Sequence, residues 1–367
     1  MKVNSWVKKI SRIRVPRKSA KEKVRCDFAE RWINFPEEFF KDFISTLEQE
    51  DFITYPSYQA YQDLKERIGA LVGLQQENVF LATGSGSCIK DIIQVTCQEG
   101  SEIVSSHPCF PMYYVFGETF GAKFVKVPYT NDGTFELSSY EGALTADTRL
   151  VILTNPNSPF GDNRSVEEIR VLCEMLHKRG IVFLIDEAYV DFGTESSVEL
   201  LKEFDNVVIS RTFSKAWGAA GARVGYLLGS HKIIELVSNI QLTYPITGPS
   251  LKFVNYLLDH KPEIEEYIQK TVKSRDLLCN LLEESGYDVV RSEANSIHFH
   301  ETMGDNTQSI KSLEGSGVSF KCGGRLTGTK VMVPTDDRTS WIRLSVGPNI
   351  ESSPFIKKMI EDYGAKR

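Results

Sequence analysis

From about residue 79 onward, short continuous apolar runs alternate with stretches in which apolar residues recur every three or four positions. The runs are NVFLATG, SEIVSSHP, AKFVKVPY, RLVILTNPN, IVFLIDEAY and NVVISRTFS; CIKDIIQVTC, YYVFGETFG and SVEEIRVLCEMLHKRG lie between them. A strand that is apolar without alternation is covered on both faces, and strands joined by helices run parallel. This region therefore predicts an α/β unit, a mostly parallel sheet covered by helices. Polar residues collect at the carboxyl ends of the runs, as TGSGS, HPCF, TNPNSP, DEAY and SRTFSK. That is the edge at which such sheets place their chemistry.

After GARVGYLLGS the pattern changes. Residues 231–285 have helical periodicity, in SLKFVNYLLDH and in EIEEYIQKTVKSRDLLCNLLEESG, whose final glycine reads as a C-cap. YDVVRS, NSIHFH, VSFK and WIRLSVG follow as short strands, with a helix around TQSIKSLEGSG and another at the C-terminus, a smaller α+β unit. The expected organisation is an N-terminal arm with part of the small domain over 1–47, a large domain over 48–245 and a small C-terminal domain over 246–367.

A chain of 367 residues with 41% apolar content can bury such a core. Its net charge of −6 supplies no positive field for nucleic acid, so a small-molecule partner is expected. No apolar stretch reaches the length of a membrane span, and no membrane partner is expected. The first 25 residues run the other way, basic from Lys2 to Arg25 against Glu22 alone. They read as a solvated arm, or as one packed on a partner subunit or an acidic surface. No apolar segment follows that would make a secretory signal, which points to the cytoplasm. Seven scattered cysteines without a CxxC pair suit a reducing compartment and offer no metal cluster.

The stretch SRTFSKAWGAAGARVGY, residues 210–226, sets Lys215 after an apolar strand in a turn of serine, threonine and glycine. Partial burial beside another cation makes such an amine a nucleophile, as at the Schiff-base position of a pyridoxal phosphate (PLP) enzyme. The stretch resembles the cofactor-lysine signature of class I/II aminotransferases, the fold-type I PLP enzymes, and most closely their histidinol-phosphate aminotransferase branch. The similarity runs from about residue 50 to the end, through several separated motifs in the family's order. Each motif alone has an ordinary structural explanation; their order carries the weight.

The resemblance implies the roles of the other residues. Asp186 in FLIDEAYVDF pairs with the protonated pyridine nitrogen, because only a protonated ring draws electrons well. Tyr189, and Asn157 in TNPNSPFG, hydrogen-bond the ring's phenolic oxygen, while Asn155 is structural. Phe110 in HPCFPMYY stacks on the ring where tyrosine is the commoner choice. In TGSGSCIKDII, a helix opens after a strand, so the N–H groups of Gly86, Ser87 and Cys88 face the cofactor phosphate. Thr212 and Ser214 add hydroxyls and Arg223 a guanidinium fork, while the glycines let the chain approach the cofactor. Tyr55 in DFITYPSYQAY reaches the phosphate of a neighbouring subunit's cofactor, which implies a homodimer with shared active sites.

On the substrate side the resemblance implies that Arg343 in SWIRLSVGP binds the α-carboxylate and that Asn295 in EANSIHFH lies close by. Of the family's Asn-Glu-Asn-Pro lid, CDFAERWINFPEEF retains Glu30. Lys321 and Arg325 in SFKCGGRLTGTK stand where relatives bind a distal phosphate, or are exposed loop charges. The expected activity is transfer of an amino group, with glutamate as donor and a small phosphorylated keto compound as acceptor. The alternative is decarboxylation of an O-phospho amino acid, since the same apparatus breaks whichever bond stands perpendicular to the ring.

Overall fold

The computed structural model describes residues 4, 6–10, 24–129, 135–303, 305–325, 332–333 and 341–365. In chain order its strands are β1 (Val24–Arg25), β2 (Val79–Ala82), β3 (Glu102–His107), β4 (Lys123–Pro128), β5 (Thr148–Thr154), β6 (Val182–Asp186), β7 (Val207–Thr212), β8 (Gly225–Gly229), β9 (Tyr287–Val290), β10 (Ser296–Glu301), β11 (Val318–Ser319), β12 (Lys321–Arg325), β13 (Met332–Val333) and β14 (Trp341–Ser345).

The apolar runs form a seven-stranded sheet of order β2-β8-β7-β6-β5-β3-β4. β3 to β7 run parallel, while β8 is antiparallel to both β7 and β2. Successive side chains serve opposite faces: Phe183 and Ile185 enter one apolar cluster, Leu184 the other. Full burial of each such side chain contributes about 1.5–3 kcal/mol, which is why the inner strands, unlike the edge strand β4 with its exposed Lys123 and Lys126, carry no polar face. Polarity returns only at their ends, where register sets Thr154 opposite Asp186 and Asp186 opposite Ser210. The helix Val166–Lys178 opens on a reciprocal capping box between Ser165 and Glu168.

The smaller sheet is antiparallel, of order β13-β12-β14-β10-β9, and β1 pairs in parallel with β11 beside it. Ile297, Phe299, Ile342 and Leu344 face its core together with Cys26, Leu278 and Met359. The helix Lys261–Glu284 links the two units, with Ile264 in the large core and Leu278 and Leu282 in the small one. The helix before it, Gly248–Asp259, puts Leu251, Val254 and Leu257 into the large core. Packing thus carries that core past the boundary at 245. Near the N-terminus Trp6 donates to the Thr119 carbonyl at 3.0 Å. The basic run 11–23 lies outside the described residues. No helix among the described residues is long and apolar enough to cross a membrane.

Candidate functional site

Asp186 ends β6 almost fully buried. Tyr113 donates to its Oδ2 at 2.7 Å, and the Ala188 N–H reaches Oδ1 at 3.2 Å. Burial pushes the carboxyl up to about 6, with Glu187 adding to the rise; the bonds from Tyr113 and Ala188 and the charge of Lys215 oppose it. A buried carboxylate without a full counter-charge is one that a cation would relieve.

One strand away, β7 leads into the Lys215 turn, which is tied from several sides. The Gly218 N–H closes on the Lys215 carbonyl at 3.0 Å, and Trp217 Nε1 donates to Asp191 at 3.1 Å. Gly218 has φ +73°, and a Cβ there would lie 2.8 Å from Arg31 Cδ. Beneath the turn, Arg211 grips the fully buried Glu187 through Nε and Nη2 at 3.0 and 2.9 Å. Removing either partner would strand a buried charge. Lys215 Nζ points into the space between the units, donating to the Phe28 carbonyl at 2.8 Å and standing 5.5 Å from the centroid of the Tyr189 ring. Burial raises the Tyr189 phenol, but Lys215, Arg343 and a bond with Ser158 outweigh it and draw it below the usual tyrosine range.

The third part is the glycine-rich start of a helix beside Arg223. The helix Ser85–Thr96 starts at Gly84, with φ +75°, and the N–H groups of Ser87 and Cys88 already close on the Gly84 carbonyl at 3.1 and 3.5 Å. The open donors of the first turn are therefore Ser85 and Gly86, one residue ahead of the set read from the sequence. The Cys88 side chain is fully buried in the second apolar cluster, and Ser87 Oγ donates to the Thr83 carbonyl at 3.1 Å. Arg223, in the left-handed region at φ +56°, lays its guanidinium over Gly84, where a Cβ would come within 2.6 Å of Nη2. Gly225 passes so close that a Cβ would sit 2.1 Å from the Ser85 nitrogen. Thr212 and Ser214 are buried next to the lysine, with the Ser214 N–H on Thr212 Oγ1 at 3.1 Å.

Asn157 is buried in its turn, its Oδ1 accepting the Phe160 N–H at 3.3 Å, while Asn155 spends both ends of its amide on Arg164. Phe110 is partly exposed and meets Tyr113 edge to face at 5.6 Å. Tyr55, 77% exposed, stacks on Tyr244 at 4.5 Å.

From the small unit, Arg343 is a direct cross-strand neighbour of Lys321 on β12 and of His298 on β10, on the face opposite Ile342 and Leu344. Lys321 Nζ lies 4.6 Å over the Phe28 ring. Desolvation and then Arg343 hold Lys321 below the usual lysine range, with Asp27 and Tyr189 opposing. Asn295 is buried and donates to the Ala29 carbonyl at 3.3 Å, while Ser345 Oγ accepts the Ala29 N–H at 2.7 Å. These bonds hold the 26–30 segment over the lysine. Glu30 pairs with Arg25. Arg325 ends β12, and its side chain lies outside the described set.

Sequence reasoning missed Tyr113, the Arg211–Glu187 pair, the Phe28 carbonyl and His298. The first tyrosine of the pair ending HPCFPMYY was the only trace of Tyr113. A main-chain acceptor 187 positions from its donor leaves none. Among the described residues no group of His, Cys, Asp and Glu is placed to hold a metal ion.

Residues 27–353 match the family described as Aminotransferase class I and II. The histidinol-phosphate aminotransferase of Thermococcus kodakarensis is 32% identical over 329 residues, covering 89% of each protein. The aromatic amino acid aminotransferase of Mycolicibacterium vanbaalenii is 33% identical over 247 residues, 66% of this chain and 70% of that one. Among solved structures, histidinol-phosphate aminotransferase from Sinorhizobium meliloti, in complex with pyridoxal-5'-phosphate, superposes with a TM-score of 0.78 at 20% identity, over 94% of this chain and 92% of that one; this likeness speaks to the fold.

Proposed function

The chain belongs to the class I and II aminotransferases, enzymes that use PLP, and from that premise we propose that it moves an amino group from glutamate to a small phosphorylated keto compound. The observation that carries the substrate reading is the Lys321–Arg343 pair of cations on one sheet face, held under the same lid segment as Lys215. Two fixed positive charges beside an amine suit an acceptor that carries a phosphate as well as a carboxylate-sized anion.

The residues present fit the cofactor. Gly84 and Gly225 leave room that a Cβ would fill, beside the open N–H groups of Ser85 and Gly86, so a phosphate has a seat there. Arg223, Thr212 and Ser214 would complete that seat, Asp186 would hold the ring nitrogen, Tyr189 and Asn157 its phenolic oxygen, and Phe110 one ring face. When bound, PLP supplies an electron sink for the substrate carbon.

The remaining work falls to the chain. Tyr113 fixes the Asp186 carboxylate in one orientation. Arg343 orients the substrate by its carboxylate, and Lys321 draws in the distal anion. Lys215 takes and returns a proton at Nζ, within reach of the Phe28 carbonyl, which can hold the ammonium when the amine is not engaged. The 26–30 segment excludes water above it.

The same reading includes a homodimer. Phe52, Ile53 and Leu242 are exposed large apolar residues, as are the stacked Tyr55 and Tyr244, and a second copy covering them would bring Tyr55 to its partner's phosphate seat. The deciding experiment presents the holoenzyme with glutamate and a panel of phosphorylated, aromatic and simple keto acids, and follows 2-oxoglutarate. We expect turnover with a phosphorylated acceptor. Preference for an aromatic acceptor would overturn the substrate assignment, and carbon dioxide release without use of a 2-oxo acid would overturn the reaction.

A further inference from the structure

His298 lies at the centre of β10, between Ile297 and Phe299, which face the small unit's core. By strand alternation its ring turns to the other face, where register makes it the direct neighbour of Arg343 on one side and of Val290 on the other. Side chains so paired have Cβ atoms about 5 Å apart. The Phe160 ring, from the TNPNSPFG turn, closes over it at 5.8 Å between centroids. The imidazole is entirely buried, and among the described residues neither of its nitrogens has a hydrogen-bond partner.

Such a group is costly. A leucine would fill the space without leaving two polar atoms unpaired, so packing alone does not account for histidine here. Arg343 presents the complementary deficit. Its guanidinium is half-buried at the cleft, yet its Nε is buried and also without a partner. A neutral imidazole offers one acceptor nitrogen, and Nε–H is a donor. Burial and then the Arg343 charge hold the ring in that neutral form.

We propose that His298 is a positioning residue for substrate binding: its acceptor nitrogen takes the Nε–H of Arg343 when the guanidinium closes on the substrate carboxylate, leaving both Nη groups to face the carboxylate end-on. The unpaired state described above is then the open arrangement, in which donor and acceptor lie one strand spacing apart. The inference rests on the reading of Arg343 as the carboxylate site and adds the residue that aims it.

The test compares His298→Leu, His298→Phe and His298→Gln in the holoenzyme. The two apolar variants remove the acceptor, and Gln restores one. Since both delete an unpaired buried polar group, the fold should survive, and thermal melting checks this for each. We expect KM for glutamate to rise about tenfold in the apolar variants, the effect of losing one hydrogen bond to a charged group, with kcat falling by less, and Gln to recover most of the loss. Succinate, an unreactive carboxylate followed by spectral titration, should lose affinity in parallel, while a simple alkylamine without a carboxylate should not. KM and succinate affinity unmoved in whichever apolar variant folds, or equal losses for the alkylamine, would overturn the proposal. Arg343→Ala is the control: if it leaves KM unchanged, the carboxylate site itself is misassigned, and this inference falls with it.

Discussion

Tyr113 donates its hydroxyl hydrogen to Asp186 across 2.7 Å and lies 2.8 Å from Thr154 Oγ1, so one phenol joins the ends of two adjacent strands. The carboxylate proposed to hold the cofactor ring is thereby oriented by a residue from a third segment of the chain. Because this bond favours the ionised carboxylate, it opposes the rise to about 6 that burial imposes.

Tyr113→Phe keeps the ring and removes that donor. Asp186 is left with the Ala188 N–H, its carboxyl titrates higher, and the acid limb of kcat/KM should move up by about one pH unit, the equivalent of one lost hydrogen bond. Turnover at neutral pH should fall by about tenfold. An unchanged pH–rate profile would show that the phenol does not act through the carboxylate.

Asp186→Asn separates stability from function. In the cofactor-free protein the folded state keeps a proton on Asp186 up to about pH 6, whereas the unfolded chain releases it near pH 4. Stability therefore falls as pH rises through that window, and the loss is complete above it. The amide has no such cost, so the variant should be more stable than the parent by about 1–3 kcal/mol at pH 8, with the difference vanishing below pH 4. Denaturant titrations of the two cofactor-free proteins at both pH values check this; a variant less stable at pH 8 contradicts the buried-charge account.

Lys215→Ala should cut turnover at least about a thousandfold, and Tyr55→Ala should be inactive at limiting PLP because it no longer retains the cofactor. Mixed and reassociated in equal amounts, the two inactive chains should regain about a quarter of full activity, because half the dimers then hold one intact site of two. Failure of mixed chains to complement, with exchange of subunits demonstrated, would remove the shared site.

Gly84→Ala places a methyl group against Arg223 Nη2 in a backbone region that L residues rarely adopt. The guanidinium must shift, and cofactor affinity should drop by about tenfold or more, corresponding to one displaced charge-assisted contact. Equilibrium dialysis with PLP measures it. An unaltered affinity would mean that Arg223 does not contact the phosphate.

The large sheet was legible because its strands are buried on both faces, so an unbroken apolar run followed by polar residues marks both the strand and its chemical end. The strand-end positions of Asp186 and Lys215 were legible for the same reason. That the N–H groups of Ser87 and Cys88 close on the Gly84 carbonyl could not be read from the sequence, because helix starts are set by backbone angles at Gly84 that composition does not encode. The boundary at 245 followed a change in texture, whereas the helix Gly248–Asp259 is amphipathic and packs wherever an apolar surface accepts it. His298 read as one more position in a short strand; only register and burial reveal an unpaired ring beside an unpaired guanidinium nitrogen.

The contact between Lys215 and the lid is made to the main chain at position 28. A carbonyl is common to every amino acid, so this tether is indifferent to which side chain residue 28 bears. Side chains of the 26–30 segment can be exchanged without erasing the bond that registers the lysine's charge. That separation lets the surface of this segment vary while the tether on the lysine stays the same.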